Sequence, residues 1–271
     1  MQHLPQQEAF SYNKKVQERL SMQESVCIEN AISDNILSDI RKFCIDFLKI
    51  SSFDVFQDIT TPRWFREGLV HQTEFVKQLS EEVIKPVLGL NDILIGDTAF
   101  CINYPPHDLH IDCRDFRVDV EGKAGIIGTK SVVVPVELDN IEYTTFYTGN
   151  QYFYGPTTRM RNGCEKLDEN NETIEWQKSC GVYFSYDYAK DGMLNLDYNN
   201  PLTYDWWKEN IDSEDGVPYS VFEGISIEKT HKWKPGNLIM FDSARVHWGG
   251  NLLKKGATYK MGLSLNYGHK E

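Results

Sequence analysis

Two histidines and one aspartate in this 271-residue sequence have the residue types and the order of a metal-binding triad. His110 and Asp112 are two positions apart, so their side chains point to the same side of an extended segment. His247 follows much later, in what the sequence predicts to be a loop after the apolar run 238–241. Two imidazoles and one carboxylate bind one face of an octahedral ion and leave positions open, which suits non-haem Fe(II). The sequence therefore predicts His110, Asp112 and His247 as metal ligands and catalytic residues.

A cation and a hydroxyl follow His247 on a predicted strand that spans 258–266. Because successive strand residues face opposite sides, Lys260 and Ser264 share one face of this strand with a glycine and an asparagine. The other face is apolar and consists of Met261, Leu263 and Leu265. If the polar face lines a barrel interior, that interior is a pocket, and His247 lies at its mouth.

The His110-x-Asp112 pair, the distal His247 and the cation Lys260 on the following strand together resemble the Fe(II)/2-oxoglutarate-dependent oxygenases. Tyr104, which is followed by a proline just before His110, and the Lys260-x-x-x-Ser264 pattern look most similar to the prolyl-hydroxylase-like branch. The resemblance covers about 97–146 and 225–266. It implies a dioxygenase that uses Fe(II), 2-oxoglutarate and O₂ to hydroxylate an unactivated C–H bond of a protein side chain or small molecule. Succinate and CO₂ would be released.

The same resemblance implies which residues hold the cosubstrate. Lys260 would bind the distal carboxylate of 2-oxoglutarate, and Ser264 would donate a second hydrogen bond. Arg245 is the rival cation, since an arginine fork grips a carboxylate with two parallel hydrogen bonds. Tyr104 would place its hydroxyl over the cosubstrate, or would pack as an aromatic residue at the end of a strand.

Hydrophobic periodicity predicts a mainly β protein with flanking helices, an α+β arrangement. The resemblance implies a double-stranded β-helix, or jelly roll, with N-terminal helices packed outside it. Helical spacing begins after Ser33, a predicted N-cap, and returns at 72–88, where Pro86 must be tolerated near the end. Strands are predicted at 26–31, 93–104, 130–138, 142–147, 238–241 and 258–266.

The sequence predicts one domain over 1–271, because mainly β domains reach this length undivided. A polar segment covers 1–24, a strand and helices at 25–90 support the barrel, and the jelly-roll core covers 91–271 with an insertion at about 149–224. In the resembled family such insertions often cover the active site, which would put substrate selection here. Trp206 and Trp207 would belong to that cover, or would only attach the insertion to the barrel.

Charge is concentrated in this insertion. Between Cys164 and Thr230 there are fifteen acidic residues and five lysines, in a chain whose net charge is −12. Phosphate backbones would be repelled there, so nucleic acid is an unfavourable partner and a protein or small-molecule substrate is favoured.

Six cysteines without CxxC spacing predict reduced thiols and a cytoplasmic location. No apolar run approaches eighteen residues, so we expect no membrane span. The sequence does not predict the oligomeric state.

Two other classes of protein stay open on the residues alone. A cupin-type metal enzyme that works without 2-oxoglutarate could use His107, His110 and His247. A jelly-roll binding protein without catalytic activity would make the triad a coincidence.

Overall fold

The computed structural model describes residues 23–50, 63–65, 73–103, 112, 126–139, 143–151, 159–161, 165–167, 173–176, 202–211, 219–222, 224–257 and 259–270. The twelve strands among them are β1 (Val26–Ile28), β2 (Arg63–Phe65), β3 (Leu94–Asn103), β4 (Ile126–Leu138), β5 (Thr144–Gln151), β6 (Arg159–Arg161), β7 (Glu165–Leu167), β8 (Thr173–Trp176), β9 (Ile227–Lys232), β10 (Leu238–Asp242), β11 (Arg245–Gly249) and β12 (Lys260–Lys270). The α-helices are α1 (Asp34–Ile50), α2 (Glu74–Leu79), α3 (Lys85–Leu88) and α4 (Tyr204–Asn210). A π-helical segment covers Ser80–Ile84, and 3₁₀ turns cover Tyr219–Phe222 and Leu253–Lys255.

These strands form antiparallel sheets. The large sheet has the order β1-β10-β4-β12-β3-β2, a second sheet has the order β11-β5-β9, and a third has the order β6-β7-β8. The predicted mainly β protein with helices is therefore confirmed. The third sheet lies within the predicted insertion, which thus has secondary structure of its own.

The long strand β12 lies between β3 and β4, and its two faces lie in different environments. Met261, Leu263, Leu265 and Tyr267 on one of its faces belong to the main hydrophobic core, together with Ile40 and Cys44 of α1 and Val76 and Leu79 of α2. This confirms the predicted apolar face of the strand. The alternate residues, beginning with Lys260, face the other side of the large sheet.

The second sheet packs against that other side. Tyr147 of β5 forms a buried cluster with Ile239 and Phe241 of β10, and Cys27 and Val133 pack on it. Tyr143 and Trp233, which flank the second sheet, form another cluster that reaches Val133 and Leu138 of β4. Aromatic side chains thus lie between the two sheets, on the side of the large sheet that the polar face of β12 also faces.

The helix predicted at 72–88 is interrupted. Thr73 caps α2 by accepting a hydrogen bond from the Val76 amide, but the backbone widens into the π-helical segment before α3, in which Pro86 occupies the first turn. Proline lacks an amide hydrogen and its ring clashes with the carbonyl four residues earlier, so the regular helical hydrogen bonds cannot continue through it. Gly89, with φ of 67°, ends the helix in the left-handed region.

Three further differences concern the strands. His247 lies within strand β11 and not in a loop, and β9 was not predicted. The predicted strand 26–31 ends at Ile28, because a turn with Asn30 at φ 52° follows it. The predicted extended segment around His110 lies outside the described residues.

Cys27 and Cys44 do not take part in a disulfide bond. Within the described ranges, no helix combines the length and the apolarity that crossing a membrane requires.

Candidate functional site

Asp112 and His247 lie together between the sheets. The His247 Nε2 and the Asp112 Oδ2 are 3.9 Å apart, and each residue is only 7% exposed. Strand β11 carries His247, and the backbone amide of Asp112 donates a hydrogen bond of 2.9 Å to the carbonyl of Ser243, in the turn between β10 and β11. That backbone bond fixes the carboxylate close to the end of the strand that presents the imidazole.

The orientation of the His247 imidazole is determined by a hydrogen bond of Nδ1, the nitrogen that faces away from Asp112. Nδ1 of His247 lies 2.9 Å from the carbonyl oxygen of Arg245 and donates to it when protonated, which leaves Nε2 to face Asp112. The ring stacks on Tyr147 at 5.5 Å with an interplanar angle of 11°, and Phe241 lies 4.4 Å away between the centroids. The histidine is therefore held by one hydrogen bond and two aromatic neighbours.

The electrostatics of the site favour a neutral imidazole. Burial lowers the pKa of His247 below its usual value of about 6.5, while the Asp112 charge and the Arg245 carbonyl oppose this, and the Lys260 charge lowers the pKa further. A neutral imidazole with a protonated Nδ1 has its lone pair on Nε2, which is the form that binds a metal. Burial also raises the pKa of the neighbouring Tyr147, so its hydroxyl stays protonated.

The pair fits a shared metal ion. Two nitrogen or oxygen donors that each lie about 2.1 Å from one ion can be at most about 4.2 Å apart, and the observed separation is 3.9 Å. The third predicted ligand, His110, lies outside the described residues, as does His107. Where the chain is described, no group of three histidine, cysteine or acidic residues could hold a metal by itself.

Lys260 lies at the start of β12 and is 4% exposed. Its ammonium donates a hydrogen bond of 2.9 Å to the Tyr143 hydroxyl and lies 4.4 Å and 4.3 Å from the ring centroids of Tyr143 and Trp233. Cation-π contacts of this kind hold a desolvated ammonium in place. Lys260 thus spans from the large sheet to the edge of the second sheet, near enough to His247 for its charge to affect the imidazole.

Arg245 is also buried, at 3% exposed. Its guanidinium forms an ion pair with Glu228 and donates hydrogen bonds of 2.6 Å each to the carbonyls of Thr148 and Gln23. These contacts direct the arginine fork toward β9 and the N-terminal segment.

Of the other residues predicted to bind the cosubstrate, the structure describes Ser264. Ser264 is half-buried on β12, on the same face as Lys260. Two positions further along this face, Asn266 accepts a hydrogen bond of 2.8 Å from Ser131 of β4. Tyr104 lies outside the described residues.

Several residues around the site were not predicted from the sequence, namely Tyr147, Phe241, Tyr143, Trp233 and Glu228. Each lies on or beside a strand, and its contact with the site depends on pairing between strands that are distant in sequence. The period-two pattern at 142–147 does place Tyr143 and Tyr147 on one face, which was an available signal. No sequence signal pairs Glu228 with Arg245.

No protein-family model matches the sequence, and no curated protein sequence matches it. Solved structures do match. The non-heme alpha ketoglutarate dependent carbocyclase SnoK from nogalamycin biosynthesis is 12% identical over 99% of this chain and 88% of that chain, with a TM-score of 0.51. The chain shares its fold with SnoK.

Two other solved structures are less similar. The epimerase SnoN from the same biosynthesis is 8% identical over 96% of this chain and 84% of that chain, with a TM-score of 0.49. EctD from S. alaskensis, solved with 2-oxoglutarate and 5-hydroxyectoine, is 12% identical over 99% of this chain and 78% of that chain, with a TM-score of 0.46.

Proposed function

We propose that this protein is an Fe(II)- and 2-oxoglutarate-dependent dioxygenase with a double-stranded β-helix core, and that it hydroxylates an unactivated C–H bond. The observation that carries the proposal is the buried pair of His247 and Asp112. Its imidazole is kept neutral by burial, and the Nδ1 contact with Arg245 leaves Nε2 for a metal. The fold shared with SnoK, an alpha ketoglutarate dependent enzyme, supports the same reading.

His247, Asp112 and His110 would hold the iron. When bound, Fe(II) supplies the activation of O₂ that is coupled to decarboxylation of 2-oxoglutarate to succinate and CO₂. The chain contributes position and exclusion of water. Tyr147 and Phe241 cover the imidazole on two sides, so that bulk water does not compete for Nε2 from those directions.

Lys260 would bind the distal carboxylate of 2-oxoglutarate, with Ser264 and Tyr104 as further contacts. A buried ammonium costs several kcal/mol in desolvation, and an anionic partner offsets much of that cost. Its contacts with Tyr143 and Trp233 hold it toward the space between the sheets. Arg245 is less suited to this role, because its guanidinium already binds Glu228 and two backbone carbonyls.

The substrate would be a small molecule or a protein side chain, neutral or cationic. The fifteen acidic residues against five lysines between Cys164 and Thr230 support this choice, since they disfavour nucleic acid. The prolyl-hydroxylase-like branch, a single domain over 1–271 and a cytoplasmic location are part of the same proposal.

The test is production of succinate. Protein purified without chelator is supplied with Fe(II), 2-oxoglutarate and O₂, and succinate is measured alone and with panels of peptides, amino acids and nucleosides. We expect slow uncoupled turnover that a true substrate stimulates. Absence of succinate from folded, iron-loaded protein under every condition would overturn the proposal, and substrate oxidation without 2-oxoglutarate would favour a cupin-type enzyme.

A further inference from the structure

The backbone beside His247 is irregular. Strands β11 and β5 pair with Arg245 opposite Gln151 and His247 opposite Tyr147, and the register shifts between these pairs. The carbonyl that receives the His247 Nδ1 hydrogen bond belongs to Arg245, at the start of this irregular stretch. The direction of the imidazole therefore depends on where the backbone of Arg245 lies.

The side chain of Arg245 fixes that backbone from three directions. Its guanidinium contacts the carbonyl of Thr148 on β5, the carboxylate of Glu228 on β9 and the carbonyl of Gln23 in the segment before β1. Thr148 is tied to the same stretch a second time, because its hydroxyl donates a hydrogen bond of 3.0 Å to the carbonyl of Val246. The irregular stretch is thus anchored to both β5 and β9.

Glu228 joins the N-terminal segment to this arrangement. One of its carboxylate oxygens binds Arg245, and the other accepts a hydrogen bond of 2.9 Å from the backbone amide of Ser25. The Ser25 hydroxyl lies 3.0 Å from Nε2 of His231, and the His231 ring packs at 5.2 Å against Tyr147, which itself stacks on His247. Residues 23–25 are therefore connected to His247 in two ways, through Glu228 and Arg245 and through His231 and Tyr147.

We propose that Glu228 and Arg245 are positioning residues for His247. Together with residues 23–25 they form a group of contacts that we call the clasp. Docking of the segment and binding of metal at His247 then strengthen each other. A buried arginine that loses its carboxylate leaves an uncompensated charge, and the surrounding backbone shifts to relieve it. Such a shift moves the Arg245 carbonyl and rotates the imidazole away from the metal-binding direction. The inference rests on the proposed function, because it takes His247 to be a metal ligand.

The direct test is anaerobic Fe(II) titration of Glu228→Gln. This change preserves the size of the side chain and an acceptor for the Ser25 amide but removes the charge that holds Arg245. We expect iron affinity to fall about tenfold, the lower end of what loss of a residue that orients a metal ligand costs. Glu228→Asp, which keeps the charge, should restore part of that affinity.

The matched control is Tyr267→Phe. It removes a buried hydrogen bond of 3.0 Å to Ser80 in the main core, away from β11, and so lowers thermal stability without touching the clasp. We expect its iron affinity to equal that of the unaltered protein. Equal loss of affinity in Tyr267→Phe and Glu228→Gln would show that general destabilisation is responsible, and the inference would fail.

A second measurement uses the unaltered chain and so does not depend on a variant that folds. Coupling between two sites is reciprocal, so if the clasp aids metal binding, metal must stabilise the clasp. We expect Fe(II) to slow amide hydrogen exchange at Ser25, whose amide binds Glu228. Unchanged exchange at Ser25 on iron binding would overturn the inference.

Different results would refute the proposed function and the positioning role of Glu228 and Arg245. If His247→Ala binds iron normally, His247 is not a ligand and the proposed function loses its main support. If His247→Ala loses iron while Glu228→Gln keeps full affinity, the metal site stands and only the positioning role is refuted.

Discussion

At the scale of single residues, the chemistry depends on opposing effects on one imidazole. Burial lowers the pKa of His247, while the Asp112 charge and the Arg245 carbonyl raise it. Burial is the largest of these effects, so the neutral ring is favoured near neutral pH. Lys260 adds to this effect, because a second positive charge nearby disfavours an imidazolium.

Lys260 gives a prediction at this scale. Replacing it by Met keeps the apolar stem beside Tyr143 and Trp233 and removes the charge. We expect the apparent constant for 2-oxoglutarate to rise roughly ten- to a hundredfold, which corresponds to about 1.5–3 kcal/mol for a charge-assisted hydrogen bond. Iron affinity should be nearly unchanged. Steady-state succinate production at varied 2-oxoglutarate measures the first quantity, and anaerobic iron titration measures the second.

The control for this prediction is Lys254→Met. Lys254 is exposed and its ammonium donates to the backbone carbonyl of Lys208, so its loss should leave the 2-oxoglutarate constant unchanged. A constant for Lys260→Met close to that of the unaltered protein would remove Lys260 from the cosubstrate site.

At the scale of elements, strands β5 and β11 have one face toward the site and the other toward aromatic residues that pack on helix α4. His247 pairs with Tyr147 on the face toward β10, whereas Trp248 pairs with Phe146 on the opposite face. Helix α4 covers that opposite face: Trp206 packs at 4.9 Å against Phe146 and at 6.2 Å against Trp248. The described helix of the insertion therefore packs behind the sheet and not over the imidazole.

This placement makes Trp206 a structural residue. We expect Trp206→Ala to reduce the free energy of unfolding by about 2 kcal/mol, less than the 3–5 kcal/mol of a fully buried tryptophan, since Trp206 is half-buried. The ratio of substrate-coupled to uncoupled 2-oxoglutarate turnover should stay the same. Tyr204→Ala, at an exposed position on the same helix, should cost less stability. A fall in the coupled ratio alone would instead assign Trp206 to substrate placement.

Strand β9 gives a prediction about pH. Burial lowers the pKa of His231, and the nearby Lys229 charge lowers it further, although Ser25 opposes this. A group whose pKa is lower when folded binds fewer protons in the folded state, so its contribution to stability is full above about pH 6.5 and decreases as pH falls below that value. We expect His231→Gln to flatten the stability profile below about pH 6.5 in chemical denaturation. An unchanged slope there would contradict this.

Elements with regular apolar spacing could be predicted from the sequence, whereas strands that are short or rich in charged residues could not. β12 and its two faces follow from a period of two, and α1 follows from helical spacing. β9, with the sequence IEKTHK, has almost no apolar pattern because it is an edge strand of a small sheet. β11 is five residues long and ends at a glycine, so it resembles a loop. The approach of Asp112 to His247 was predictable from metal-site chemistry, whereas the clasp of Arg245 and Glu228 required the fold.

At the scale of the whole molecule, the site lies where the two facing sheets meet. His247 comes from the second sheet and Lys260 from the large one, and Asp112 is tied to the turn that connects β10 with β11. A metal bound there would join groups that the unfolded chain does not hold together. Iron at about a hundred times its dissociation constant should therefore stabilise the protein by about 2.7 kcal/mol. Calorimetric unfolding at varied Fe(II) measures this effect, and an unfolding temperature independent of iron would contradict it.

The most direct test of the proposed metal site is anaerobic Fe(II) titration of the unaltered chain beside His247→Ala, Asp112→Ala, His110→Ala and the control His269→Ala, which lies near the far end of β12. We expect one Fe(II) per chain in the unaltered protein and in His269→Ala, with binding lost in the other three variants while each stays folded. Iron binding that survives in folded His247→Ala and Asp112→Ala, or no binding by the unaltered chain, would contradict it.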